Sequence, residues 1–149
     1  MAGFNSSADL HQRIYKKLQS VIPDLQSIDE HGQSIVPGCM ALNLDVLRRG
    51  PTKTVIALSH YYKHPSGDMI ADPDMVLAVY SDRAMAEALS YQDSFCYQEV
   101  YSQGGAMVDV RAKRELNLFL MQWLSNLNVQ GHRIHSPNMT GIASGVEHE

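Results

Sequence analysis

Between residues 110 and 129 apolar side chains return every three or four positions, at Leu116, Phe119, Leu120, Trp123, Leu124 and Leu127. That spacing places them on one stripe of an α-helix. Asp109 stands where an N-cap side chain belongs, and Gly131 where a left-handed residue ends a helix. A helix with one apolar stripe has to bury it against a second layer, and the rest of the chain must supply that layer.

The middle of the chain supplies strands. In residues 39–47, Met40, Leu42, Leu44 and Val46 alternate with Ala41, Asn43 and Asp45, the period of two that marks a half-buried strand. Arg48, Arg49, Gly50 and Pro51 break the pattern. Residues 54–62 resume it and are apolar on both faces near Val55, Ile56 and Leu58, which predicts an interior strand. Residues 74–81 form a third strand, with Met75, Leu77 and Val79 on one face. Asp82 and Arg83 make a turn, and residues 84–90 return as a fourth strand. Phe95, Tyr97, Glu99 and Tyr101 alternate with Cys96, Gln98 and Val100 in a fifth, ended by Gly104 and Gly105.

Ahead of the strands, Leu10, Ile14, Leu18 and Val21 form a helical stripe over residues 7–22, with Ser6 or Ser7 as cap and Pro23 as terminator. A turn is expected at Glu30, His31 and Gly32. After the last helix, residues 132–149 hold few apolar anchors and include Pro137, Gly141 and Gly145, so they read as a flexible or loosely docked tail. The predicted architecture is α+β: one domain over 1–131, with an antiparallel sheet of about five strands and an N-terminal and a long C-terminal helix packed on it.

Composition narrows the function classes. The 149 residues carry 44% hydrophobic and 19% charged side chains, which suits one globular domain. A net charge of −4 gives no general attraction to nucleic acid or anionic lipid. No run reaches the ~18 apolar residues of a membrane span, and the opening residues lack the basic and apolar regions of a secretory signal. Cys39 and Cys96 fall in predicted strands without a CxxC pair, which points to reduced thiols in a cytoplasmic protein.

The densest polar chemistry lies in residues 60–75, read as a turn-rich loop. His60, His64, Asp68, Asp72 and Asp74 are ligand types suited to zinc, manganese or iron. Their spacing matches no calcium loop, and Asp72 with Pro73 reads more simply as a turn initiator. A second set, His60, Tyr61, Tyr62, Tyr91, Tyr97, Glu99 and Tyr101, forms a polar aromatic surface if the second and fifth strands share a face, where His60 and Glu99 would meet. The plainer reading makes these tyrosines the margin of a small core. Nucleophilic catalysis lacks a Gly-x-Ser-x-Gly elbow, and Gly104 with Gly105 lacks the lysine of a phosphate loop. Arg48 with Arg49, and Arg111 with Lys113 and Arg114, are the basic clusters.

These residues also carry a resemblance. His60, Tyr61 and Tyr62, then Gly67, Asp68 and Met69, then Asp72 through Met75, then Tyr97 through Tyr101 resemble a family of uncharacterised bacterial proteins, many encoded on mobile elements. The closing match is Leu116, Asn117, Phe119, Leu120, Trp123, Leu124, Asn126 and Leu127, followed by Gln130 and Gly131. A second uncharacterised family is similar over residues 80–87 and the same helix. The resemblance spans about residues 55 to 131 and implies a domain of unknown function, with no activity attached.

The reading that follows is a small cytoplasmic binding or accessory module without catalysis. It would use the sheet face and the 60–75 loop, with His60, Tyr61, Tyr62, His64, Asp68, Asp72, Asp74, Tyr97 and Glu99, to engage a protein or nucleic-acid partner. No cofactor, metal or membrane is expected. The alternatives are a metal-assisted hydrolase or nuclease built on His60, His64, Asp72 and Asp74, and a homodimer formed through a strand edge.

Overall fold

The structure, a computed structural model, describes residues 7–136. Ser7–Val21 forms α1, whose Ile14, Leu18 and Val21 are buried as the stripe requires. Ser6, one of the two expected caps, lies outside the described residues. His31–Ser34 is β1, Leu42–Arg49 β2, Thr54–Lys63 β3, Met69–Tyr80 β4, Met85–Gln92 β5 and Tyr97–Glu99 β6. These make one sheet in the order β1-β2-β3-β4-β5-β6, with every pairing antiparallel. Tyr101–Ser102 (β7) and Met107–Val108 (β8) pair as a separate ribbon leading into α2, Val110–Gln130.

Both helices lie on the same face of the sheet. Leu116, Leu120, Trp123, Leu124 and Leu127 of α2 join the α1 stripe, Leu42 and Leu44 of β2, Ile56 and Leu58 of β3, and Met75, Leu77 and Val79 of β4 in one core. Each large side chain taken fully out of water there contributes ~1.5–3 kcal/mol before chain entropy is set against it. Asp109 caps α2 by accepting from the Ala112 amide at 2.9 Å, and Gly131 ends it at φ +92°. Of the predicted stripe only Phe119 is exposed, at 40%.

Four expectations change. The turn at residues 30–32 is instead the start of β1, which raises the sheet to six strands. Gly32 is there for space: a Cβ at that position would sit 2.6 Å from Ile134 Cγ2. The fifth strand is shorter than residues 95–101. Asp93 folds its carboxylate back onto the amides of Phe95 and Cys96 at 2.8 and 2.9 Å, an Asx turn that leaves Phe95 95% exposed. Val100 then turns into the core, so Tyr101 belongs to a different sheet from Tyr97. Cys39 and Cys96 lie outside the strands, as free thiols.

The fourth change concerns the 60–75 loop, most of which is strand. Only residues 64–68 turn, between β3 and β4. Asp72 and Pro73 begin no turn. They lie within β4, joined by a cis peptide bond, at an irregularity where the register passes from Ser59↔Asp74 to Tyr61↔Ala71. A proline has no N–H to lose from the ladder at such a break.

Beyond α2, residues 132–136 pack against the body. His132, Ile134 and Ser136 are buried. The Ile134 amide donates to the Val21 carbonyl at 2.8 Å, and the Ser136 amide to Asp24 Oδ2 at 2.8 Å. The rest of the expected tail, residues 137–149, lies outside the described residues. Among the described residues no helix is long and apolar enough to cross a membrane.

Candidate functional site

The β3–β4 pairing is longer than the sheet around it. β2 meets β3 only as far as Ser59, and β5 meets β4 only as far as Asp74. Among the described residues, the pairs Tyr61↔Ala71, Tyr62↔Ile70 and Lys63↔Met69 have no strand on either side. Residues 61–71 therefore form a two-stranded arm that projects from the sheet. Tyr61, Tyr62 and Met69 are exposed along it, Met69 at 60%.

The tip of the arm satisfies itself. The His64 amide donates to the Asp68 carbonyl at 2.8 Å, and Gly67, at φ +98°, donates to the His64 carbonyl at 2.8 Å. His64 Nδ1 accepts from the Ser66 amide at 3.1 Å, while Ser66 Oγ donates to Asp68 Oδ2 at 3.2 Å. At the base, the Tyr61 hydroxyl donates to Asp74 Oδ2 at 2.7 Å. That bond, aided by burial, pushes the Tyr61 pKa up to about 12.

His60 belongs to a different environment. It is buried on the helix face, its ring edge-on to Trp123 at 5.5 Å between centroids and 5.9 Å from the ring of His132. Its Nδ1 lies 2.8 Å from the Ala41 carbonyl oxygen. His132 holds Ser34 Oγ at 2.9 Å through Nδ1, and burial, reinforced by His60, lowers its pKa. A cleft of about 410 Å³ opens beside them, bordered by Cys39, Asp72 and Trp123.

His60 and Glu99 do not meet. β4 and β5 stand between β3 and β6, a separation on the order of 14 Å at ordinary strand spacing. They also occupy opposite faces. Glu99 pairs with Ser90, Ser90 with Val76 and Val76 with Ala57, which puts Glu99 on the face away from the helices. Of the proposed metal ligands only His60 and Asp72 border one cleft; His64 and Asp68 sit at the arm tip and Asp74 is bonded to Tyr61. Among the described residues no three His, Cys, Asp or Glu side chains are grouped to hold a metal ion.

That outer face joins Tyr97, Glu99 and Tyr101 of the expected aromatic set to Tyr80 and Glu87, which the sequence did not single out. Glu87 is 8% exposed, yet it accepts from the hydroxyls of Tyr80 at 2.9 Å and Tyr101 at 2.7 Å. Burial and the bond to Glu87 raise the Tyr80 pKa to about 12, and the same two causes raise that of Tyr101. A cavity of about 670 Å³ spans this group together with Lys53, Tyr97 and Glu99. The signal lies in the register, because Tyr80 and Glu87, opposite Met85 and Ala78, become diagonal neighbours on one face only once β4 and β5 are paired.

The basic clusters are partly absorbed by the fold. Arg49 donates to Gln26 and to the carbonyls of Leu25 and Ile28, closing the turn after α1. Arg111 pairs with Glu115 at 3.0 Å on the exposed start of α2.

A family model described as a domain of unknown function, DUF6908, matches residues 11–133. The chain belongs to this family. The DUF6908 match runs from α1 to the buried residues after α2, so it includes the N-terminal region that the sequence resemblance left unaligned. Within the DUF6908 fold, the closing-helix signature has structural roles: Leu116, Leu120, Trp123, Leu124 and Leu127 fill the core, and Asn117 Oδ1 accepts from the Ala88 amide at 2.9 Å. Comparison with the curated proteins and with the solved structures finds no match.

Proposed function

We propose that this DUF6908 chain is a non-catalytic binding module whose partner surface is the β3–β4 arm with the adjoining outer face of the sheet. The observation that carries the reading is the arm itself. An isolated two-stranded ribbon is marginal in water, and this one exposes Tyr61, Tyr62 and Met69 on strands that have neighbours on neither side among the described residues. Such a ribbon presents both apolar side chains and free strand edges to a partner.

The partner we assign is a protein. Along the arm Asp68 offsets Lys63, while Asp72 and Asp74 at its base, with Asp45 and Glu99 on the outer face, make the surroundings acidic. A nucleic-acid phosphate backbone calls for the opposite sign. The free cysteines and the resemblance to bacterial mobile-element proteins support a role in a bacterial cytoplasm.

The test is affinity capture with the wild type and a Tyr62→Ser, Met69→Ser double variant, both exposed positions whose loss spares the core. Loss of a stoichiometric protein partner in the variant, with an unchanged melting temperature, is the expected outcome. Recovery of the same partners by both proteins sinks the assignment. His60→Ala is unsuitable for this purpose, because it removes a buried ring packed on Trp123.

A further inference from the structure

Glu87 is a carboxylate that is more than nine-tenths buried, and its hydrogen-bond donors are two neutral hydroxyls. Buried charge is ordinarily matched by opposite charge. The ion pairs among the described residues are Arg13 with Asp9 and Arg111 with Glu115, and neither involves Glu87. His11 feels the Glu87 charge from α1, but burial lowers its own pKa, so at neutral pH it supplies little positive charge. Each carboxylate oxygen also keeps a free lone pair after accepting from its tyrosine.

The walls around this group are aromatic. Tyr80, Tyr97 and Tyr101 line the cavity of about 670 Å³, with Glu99 as a second carboxylate and Lys53 as the one cation among the lining residues. Two of these rings already attract cations of this chain. The Arg83 guanidinium lies 5.6 Å from the centre of the Tyr80 ring, and the Lys113 amine 5.5 Å from that of Tyr101. Tyrosine faces and carboxylates converging on one space form the recognition chemistry of an organic cation.

We propose that this cavity binds a basic side chain, an alkylammonium or guanidinium group, inserted by a protein partner. Its charge would be met by Glu87 and Glu99 and its carbon stem by the tyrosine rings. Among the lining residues two carboxylates stand against one lysine, with Arg83 and Lys113 held at the Tyr80 and Tyr101 rings, and these two tyrosines fix the Glu87 carboxylate before any guest arrives, so little ordering is spent on binding. The choice of a protein side chain as the source rests on the binding-module reading; the cation chemistry stands on the cavity alone.

The experiment is an NMR amide-shift titration with acetyl-Gly-Arg-Gly-amide, its lysine counterpart and the neutral citrulline counterpart. The basic peptides are expected to bind at roughly millimolar affinity and to shift amides of residues 80, 87, 90, 97 and 101, while the citrulline peptide leaves them unmoved. Glu87→Gln should weaken binding about tenfold or more. Should that variant unfold, Tyr97→Leu with Glu99→Gln, both exposed, decides the matter by the same loss. Equal response to citrulline, shifts mapping elsewhere, or unchanged affinity in the variants overturns the proposal. The arm variant Tyr62→Ser, Met69→Ser separates the two readings. If it keeps its protein partners but still binds the basic peptides, the arm assignment fails and the cavity stands; the reverse pattern fails the cavity alone.

Discussion

Asn117 bonds in two directions from inside the structure. Its Oδ1 takes the Ala88 amide at 2.9 Å, and its Nδ2 gives to the Lys113 carbonyl at 2.7 Å. β6 pairs β5 only over Ser90 to Gln92, so the Ala88 amide lies past the end of that neighbour, and a side chain from α2 completes the edge. Asn117→Leu keeps the heavy-atom count and branching but leaves a buried N–H unpaired, and a loss of about 1–3 kcal/mol in urea unfolding is expected. A change below about 0.5 kcal/mol would remove this role from the residue. Asn117 was visible in the sequence as part of a family signature, but its task was not, because the bond depends on which strand lies opposite. His60 shows the same limit. Its residue type and polar neighbours pointed to chemistry, whereas it follows the core residue Leu58 by two positions and lies edge-on to Trp123 of α2.

At the level of elements, α2 was legible in full: stripe, N-cap and C-terminal glycine all follow from local spacing. Trp123 is 6% exposed, with the rings of His60 and Phe119 against its indole and the rest of the core around it. Trp123→Ala should lower stability by about 3–5 kcal/mol in thermal or denaturant unfolding. An unchanged melt would remove the helix-on-sheet core as described. The strands were legible by period, but their ends were not. Asp72 and Pro73 carry a turn signature in sequence and lie inside β4, since an irregularity in the ladder accommodates what a regular strand would reject. Gly32 misled in the same way, as its lack of a side chain serves Ile134 rather than a turn. Alternation across residues 95–101 was cut by Asp93, whose carboxylate competes for the local amides.

For the molecule as a whole, acidity should be felt through two buried imidazoles. Burial lowers the pKa of His11 in α1 and of His132 after α2. The folded state thus binds their protons less readily than the unfolded chain, which takes them up near pH ~6.5. Their contribution is complete above that value and is lost as pH falls below it, through the lower folded values. Melting temperature is expected to drop between about pH 7.5 and 5.5, and a His11→Gln, His132→Gln variant should show a flatter profile over that window. An identical slope in the variant would assign the acid response to other groups. The two-layer architecture was readable from the order of elements, because helix, strands, helix leaves one face of an antiparallel sheet uncovered. The tyrosine–carboxylate group on that uncovered face was not, since residues 80, 87 and 101 converge only through strand pairing and the turn at Val100.

The bonds that tie residues 132–136 to Val21, Asp24 and Ser34 have a consequence for synthesis. Sites about a hundred positions apart must meet before the space over Gly32 is filled, so α1 and β1 wait, incompletely covered, while the intervening strands are translated. A nascent chain stalled short of residue 136 would leave the ribosome with that corner open to chaperones.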